Sequence, residues 1–225
     1  MLLYKYKGAS QLLHLLDIAV HERLFCQTYS QLNDPFEGQF RSITTHANIA
    51  NLGFTGNFNP NPLRHARINY HNVDELLVPG GTRVCSLSET LSDVRMWSLY
   101  AESHQGVAIE IDFAGLEDGV RRVEYVHDLP KYGMTLLGGA TPEEVLTKKT
   151  THWDYEKEYR IVGEEAHFSI AGRMKRVILG LRASEELELL LNKILQPKVT
   201  ITRARLDHEG VCVHPGEIVR QGEVP

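Results

Sequence analysis

The stretch "THWDYEKEYRIVG", Thr151 to Gly163, decides how this chain is read. It runs into an apolar segment, so a strand over "EYRIVG" is expected. If the whole of "WDYEKEYRI" is extended, side chains alternate between two faces. Asp154, Glu156, Glu158 and Arg160 then share one face, and Trp153, Tyr155, Tyr159 and Ile161 share the other. The aromatic face can be buried. The polar face crowds three carboxylates, which raise one another's pKa unless a cation or a ligand relieves them. Arg160 supplies a forked cation. If the segment instead closes a last helical turn, Glu156 and Arg160 form an i,i+4 pair. The stretch is either a salt-bridged strand edge or the wall of an active site.

Working outward, "MKRVILGLRA" (174–183) and "VTITRARLD" (199–207) read as strands around a helix, "SEELELLLNKIL" (184–195), capped by Ser184. Upstream, "TPEEVLTKKTTHW" (141–153) opens with Thr141 as cap and Pro142 in the first turn, a helix start. "TRVCSLS" (82–88), "GVAIEID" (106–112) and "VRRVEYV" (120–126) are strands, with a helix over "TLSDVRMWSLYAESH" (90–104). At the start, "LLYKY" (2–6) is β-prone, "SQLLHLLDIAVHERL" is an amphipathic helix with Ser10 as N-cap, and "RLFCQTY" (23–29) is a strand. "SQLNDPFEG" (30–38) is turn chemistry, and residues 41–80 read as an irregular loop or insertion. About eight strands with four helices scattered among them, in no regular βα repeat, predict a single α+β domain over 1–225 with a largely antiparallel or mixed sheet.

The composition excludes several classes. A 225-residue chain with 42% hydrophobic and 24% charged residues and a net charge of −5 suits a globular domain, and it carries no broad basic field for duplex binding. Three cysteines, Cys26, Cys85 and Cys212, form neither a disulfide framework nor a CxxC zinc site. The opening "MLLYKYKGAS" is too short and polar for a signal peptide, and no run is long enough to span a membrane, so a cytoplasmic protein is expected. Eleven histidines occur without HExxH or another diagnostic spacing, so no metal site is expected from them.

Smaller constellations add candidates. Lys5 lies between Tyr4 and Tyr6 on the first strand and faces away from both. Ser86 and Ser88 stand two apart at a strand end, where their hydroxyls can meet backbone or ligand. Trp97 and Tyr100 fall within one helical turn and suit a core, His104 suits a helix end, and Trp97 and His104 are also pocket candidates. Asn33, Asp34 and Phe36 belong to the tight turn at Pro35 and are pocket candidates.

Taken in order, "LYKY", "QLNDPFEG", "CSLSE", "MWSLYAESHQGVAIEID", "KKTTHWDYEKEYRIV" and "RVILGL…ITRARLD" resemble the domain of unknown function 2971 family, from Tyr4 to about Asp207. A looser resemblance is to ADP-ribosyltransferases. These carry a basic residue on the first strand, a serine-rich strand, and a strand with a catalytic glutamate, often as E-x-E. Lys5, Ser86 with Ser88, and Glu156 with Glu158 stand in that order. The first residue is Lys instead of Arg or His, and "SLS" replaces Ser-Thr-Ser.

That resemblance implies a split sheet and NAD as substrate. Glu158 would stabilise positive charge on the ribose and Glu156 would orient the acceptor. Lys5 or Arg160 would meet the pyrophosphate. Ser86 or Ser88 would brace the glutamate or the ribose, and Tyr100 or Trp153 would stack on a base. Tyr6 joins these as a cofactor-site candidate on the first strand. The implied partners are a small dinucleotide and a protein or nucleic-acid acceptor, with a toxin or defence role by analogy. Two other readings stand beside it. One is a non-catalytic binding or regulatory domain in which the cluster braces the sheet. The other is a metal-dependent phosphodiesterase or nuclease using Asp154, Glu156 and Glu158.

Overall fold

The computed structural model describes residues 1–44, 67–76, 81–133, 140–195, 197–207 and 213–218. In chain order the strands are β1 (Leu2–Lys7), β2 (Arg23–Phe25), β3 (Gln27–Thr28), β4 (Gln39–Thr44), β5 (Arg67–Asn72), β6 (Arg83–Ser88), β7 (Val107–Asp112) and β8 (Arg121–Arg122). They continue as β9 (Glu124–Val126), β10 (Lys131–Gly133), β11 (Lys148–Thr150), β12 (Glu158–Gly163), β13 (His167–Ser169), β14 (Met174–Leu179), β15 (Thr200–Leu206) and β16 (Val213–Ile218). The α-helices among the described residues are α1 (Leu12–His21), α2 (Val94–Tyr100), α3 (Pro142–Leu146) and α4 (Glu185–Leu195).

The main sheet runs β16-β15-β14-β7-β1-β6-β12-β8, with β3 also on β6. Only the β14/β15 pairing in it is parallel, so the sheet is mixed and largely antiparallel, as the α+β reading expects. Three smaller sheets join β10-β4-β5, β11-β9 and β13-β2.

Register explains the core. Ile109, Val177 and Ile201 lie opposite one another on β7, β14 and β15 and share one buried cluster with Leu15 and Ile18 of α1 and Leu187 and Leu191 of α4. One residue along, Tyr6, Ala108 and Ile178 point to the other face and pack with Met96 and Trp97 of α2. A third cluster, with Phe40, Val73, Val84, Val145 and Leu146, lies under the β4-β5 side. β1 meets β7 over six residue pairs but meets β6 at a single register, Tyr4 opposite Ser88. Beyond that pair β1 and β6 make no further ladder, and the sheet is open between them.

Several sequence expectations are corrected. The "WDYEKEYRI" stretch is not extended throughout: Thr151–Glu156 is a 3-10 turn, Lys157 is left-handed at φ 45°, and the strand begins at Glu158. The alternation therefore holds only for Glu158 and Arg160 against Tyr159 and Ile161. The helix over 141–153 stops at Leu146. Its cap is as expected, with Thr141 and Glu144 bonding each other's backbone, but Lys148–Thr150 pairs with β9 instead of coiling on. Ser10 does not cap α1. Ala9–Gln11 is a 3-10 turn and the Ser10 N–H goes to Glu102.

"RLFCQTY" is two short strands in different sheets, broken at Cys26, whose N–H bonds Ala166. "VRRVEYV" is broken at Val123, whose N–H bonds the Glu158 carbonyl. The helix over 90–104 spans only α2, capped by Asp93, and gives way to a left-handed turn at Glu102, Ser103 and His104. Of the expected loop at 41–80, residues 45–66 and 77–80 lie outside the described residues. The rest is strand and a 3-10 turn, not loop.

Candidate functional site

A cleft of about 430 Å³ lies at the opening between β1 and β6. This is within the usual range of small-molecule sites. Tyr4, Lys5, Tyr6 and Lys7 of β1, Ser86 and Ser88 of β6, Tyr100 of α2, and Glu158 and Arg160 of β12 all line it. Because the strands part, residues from both faces of β1 reach the same space.

The floor is a cluster of buried charge: Glu37, Lys149, Glu156, Glu158 and Arg160. Arg160, 0% exposed, grips Glu158 with Nε to Oε1 at 2.7 Å and Nη2 to Oε2 at 2.9 Å. The same Nη2 donates to Glu37 at 2.7 Å, and Nη1 donates to the Leu146 carbonyl at 2.6 Å. Lys149 stands among the three carboxylates, 2.6 Å from Glu156 and 3.2 Å from both Glu158 and Glu37. Tyr100 donates its hydroxyl to Glu156. Ser88 donates to the Glu156 carbonyl at 2.6 Å and so fixes the chain at the turn between the two glutamates. With every group ionised, three carboxylates against two cations leave the floor with one net negative charge.

Environment separates the two glutamates. Burial pushes Glu158 up, but Arg160 and Lys149 outweigh it and hold its pKa down to about 2. Burial also pushes Glu156 up; there the Lys149 charge does not fully offset it, and the neighbouring Glu158 adds to the rise. Burial works against the charge of Lys149, yet the surrounding Glu158, Glu37 and Glu156 raise its pKa. The cluster holds together only because every charge has an opposite one within hydrogen-bond reach.

The sequence reading missed two of the five. Glu37 sits in the "NDPFEG" turn, where Asp34 accepts from the Phe36 N–H and Gly38 is left-handed at φ 76°. A Cβ on Gly38 would also meet Val73 at 2.7 Å, so the turn needs glycine there. The turn sends Glu37 inward and leaves Phe36 exposed. Lys149 was hidden by the over-long helix. On β11 it points inward, while Lys148 points out to Glu124. The alternation within "KKT" was the available signal.

The other candidates divide. Asn33 lines the cleft; Asp34 is a buried turn former and Phe36 does not line the cleft. Lys5 reaches across the opening, donating to the Ser86 carbonyl at 2.8 Å. Trp97 is core, 0% exposed, with its Nε1 donating to the Leu91 carbonyl. His104 stacks on Trp97, and its buried Nδ1 has no partner among the described residues, so it is not a helix-end cation. Burial lowers its pKa. Trp153 is outside the cleft lining and lies under the Lys149 ammonium, 4.7 Å from ring centre to Nζ. Asp154 is exposed on the 3-10 turn, and among the described residues no three His, Cys, Asp or Glu side chains are placed to hold a metal ion.

No helix among the described residues is long and apolar enough to cross a membrane. Fold and site together define a mixed α/β protein with a charged cluster at the foot of a polar cleft. Comparison of the chain with protein-family models, with curated proteins and with solved structures finds no match.

Proposed function

We propose that the cleft binds NAD and that the protein cleaves the nicotinamide–ribose bond, as an ADP-ribosyltransferase or NAD glycohydrolase. The observation that carries this reading is the neighbour order in the sheet. The strands bearing Lys5, Ser86 with Ser88, and Glu158 are β1, β6 and β12, and they lie side by side around one cleft. The resemblance to ADP-ribosyltransferases gives these residues in that chain order, and their meeting around one cleft supports the reading. Membership of the domain of unknown function 2971 family is proposed with it, on the motifs alone.

In this mechanism nicotinamide leaves with the bonding electron pair and positive charge builds on the ribose. A floor with one net negative charge, built of side chains buried from solvent, stabilises that charge. Glu158, its pKa held down by Arg160 and Lys149, acts by its charge. Glu156, whose pKa lies higher, takes the proton of the water or acceptor hydroxyl that adds to the ribose carbon.

A non-catalytic binding domain is the second reading. It is favoured by the complete internal pairing of Glu158 with Arg160 and Lys149. Nicotinamide release and thermal stabilisation by NAD⁺, measured for wild type and Glu156→Gln, separate the two. Release that is lost in a folded Glu156→Gln protein supports the transferase reading. Absence of both release and stabilisation in wild type overturns it.

A further inference from the structure

We propose that the β1 end of the cleft is a phosphoryl-binding subsite made by Lys5 and Lys7, and that the ligand is bipolar: a phosphate or pyrophosphate at these lysines and an electron-poor sugar over Glu156. This rests on the nucleotide reading above and deepens it, because Lys7 was no part of the sequence pattern and Arg160 is removed as a phosphate ligand. Arg160 is fully buried and its guanidinium is spent on Glu158, Glu37 and Leu146.

Lys5 and Lys7 are two apart on β1, so they lean to one face, and both line the cleft. Neither has a carboxylate partner among the described residues. Lys148 and Lys175 each have one, and Lys149 has three. Lys5 donates to the Ser86 carbonyl at 2.8 Å and to the Cys85 sulfur at 3.7 Å. An ammonium carries three donors, so one is left to give. Lys7 has no side-chain hydrogen bond among the described residues.

Around the pair the cleft is lined by neutral groups, Ser10, Gln11, Gln27 and Gln31. Glu102, the acid at this end, already accepts from the Ser10 N–H. Two half-buried cations held near each other, neither ion-paired with a carboxylate among the described residues, are costly. Burial, and then the Lys5 charge, lower the Lys7 pKa to about 8. An anion with several oxygens between them relieves both costs and accepts the spare donors. The floor with the opposite net charge lies across the same cavity, and this asymmetry orients a ligand that is anionic at one end only.

The test is titration calorimetry of the full chain with pyrophosphate, ADP-ribose and adenosine, for wild type, Lys7→Met, Lys7→Arg and the surface control Lys175→Met. The expected result is that pyrophosphate and ADP-ribose bind wild type. Lys7→Met should weaken both at least tenfold, while Lys7→Arg restores binding and Lys175→Met leaves it unchanged. Equal binding of pyrophosphate and ADP-ribose by wild type and Lys7→Met overturns the subsite, as does no binding by wild type. A melting temperature for Lys7→Met at or above wild type shows that any loss is not unfolding. The two proposals fail separately. Lysine-dependent pyrophosphate binding without nicotinamide release keeps the subsite and sinks the transferase. Nicotinamide release with an unchanged KM in Lys7→Met does the reverse.

Discussion

Arg160 holds Glu158 through two parallel hydrogen bonds, Nε to Oε1 at 2.7 Å and Nη2 to Oε2 at 2.9 Å, although the two residues are only two apart on one strand. Both project from the same face of β12, and both are buried. Removing one member leaves the other charged in a dry place. Glu158→Gln is expected to cost about 3–5 kcal/mol of stability. Urea denaturation at neutral pH reads this directly; a loss below about 1 kcal/mol contradicts it.

The same pair sets a pH window. The folded pKa of Glu158, about 2, lies below the ordinary carboxylate value of 4.5. Its contribution is therefore fully present above pH 4.5 and is lost as pH falls towards 2. The raised pKa of Glu156 acts with the opposite sign, opposing folding as that group ionises, and softens the slope. Stability measured down through this window should fall for wild type and fall less for Glu158→Gln.

Tyr100 acts on Glu156. Its hydroxyl hydrogen bond favours the ionised glutamate against burial. Tyr100→Phe should raise the Glu156 pKa further and cost about 1–3 kcal/mol. If Glu156 is the proton acceptor, the acid limb of nicotinamide release moves to higher pH in this variant. An unmoved limb with reduced activity assigns Tyr100 to ligand contact instead.

Gly106 lies against the end of β1. A Cβ there would stand 2.0 Å from the Lys7 carbonyl and 2.8 Å from the Gly8 Cα. Both contacts are backbone and cannot swing away. Gly106→Ala should displace the end of β1 and destabilise the fold by several kcal/mol, on the scale of overpacking or more. Gly119→Ala, with nothing within 4 Å of the new Cβ, is the matched control and should be near neutral. Thermal melts of the two variants give the comparison.

How much of this was legible in the sequence varies by element. β1, β6, β7, β14 and β15 were readable as short apolar and β-branched runs, and α4 because its apolar residues recur at helical spacing. The region from Thr147 to Lys157 was not. Its residues are polar and β-branched without a clean period. What shapes them is pairing with β9 and burial of Lys149 and Glu156.

The sequence by itself determined the α+β class, most strand positions, and the identity of Glu156, Glu158 and Arg160 as the residues whose charges demand an explanation. Tertiary structure alone decided their partners. Glu37 reaches Arg160 across 123 residues of chain, and Lys149 enters from a strand that local propensity hides. It also decided that β1 and β6 part after Tyr4 and Ser88, which opens the cleft. The physical reason is that periodicity records which side of an element is buried. The cost of burying a charge is met by whichever opposite charge the fold brings within about 3 Å, and chain distance carries no information about that.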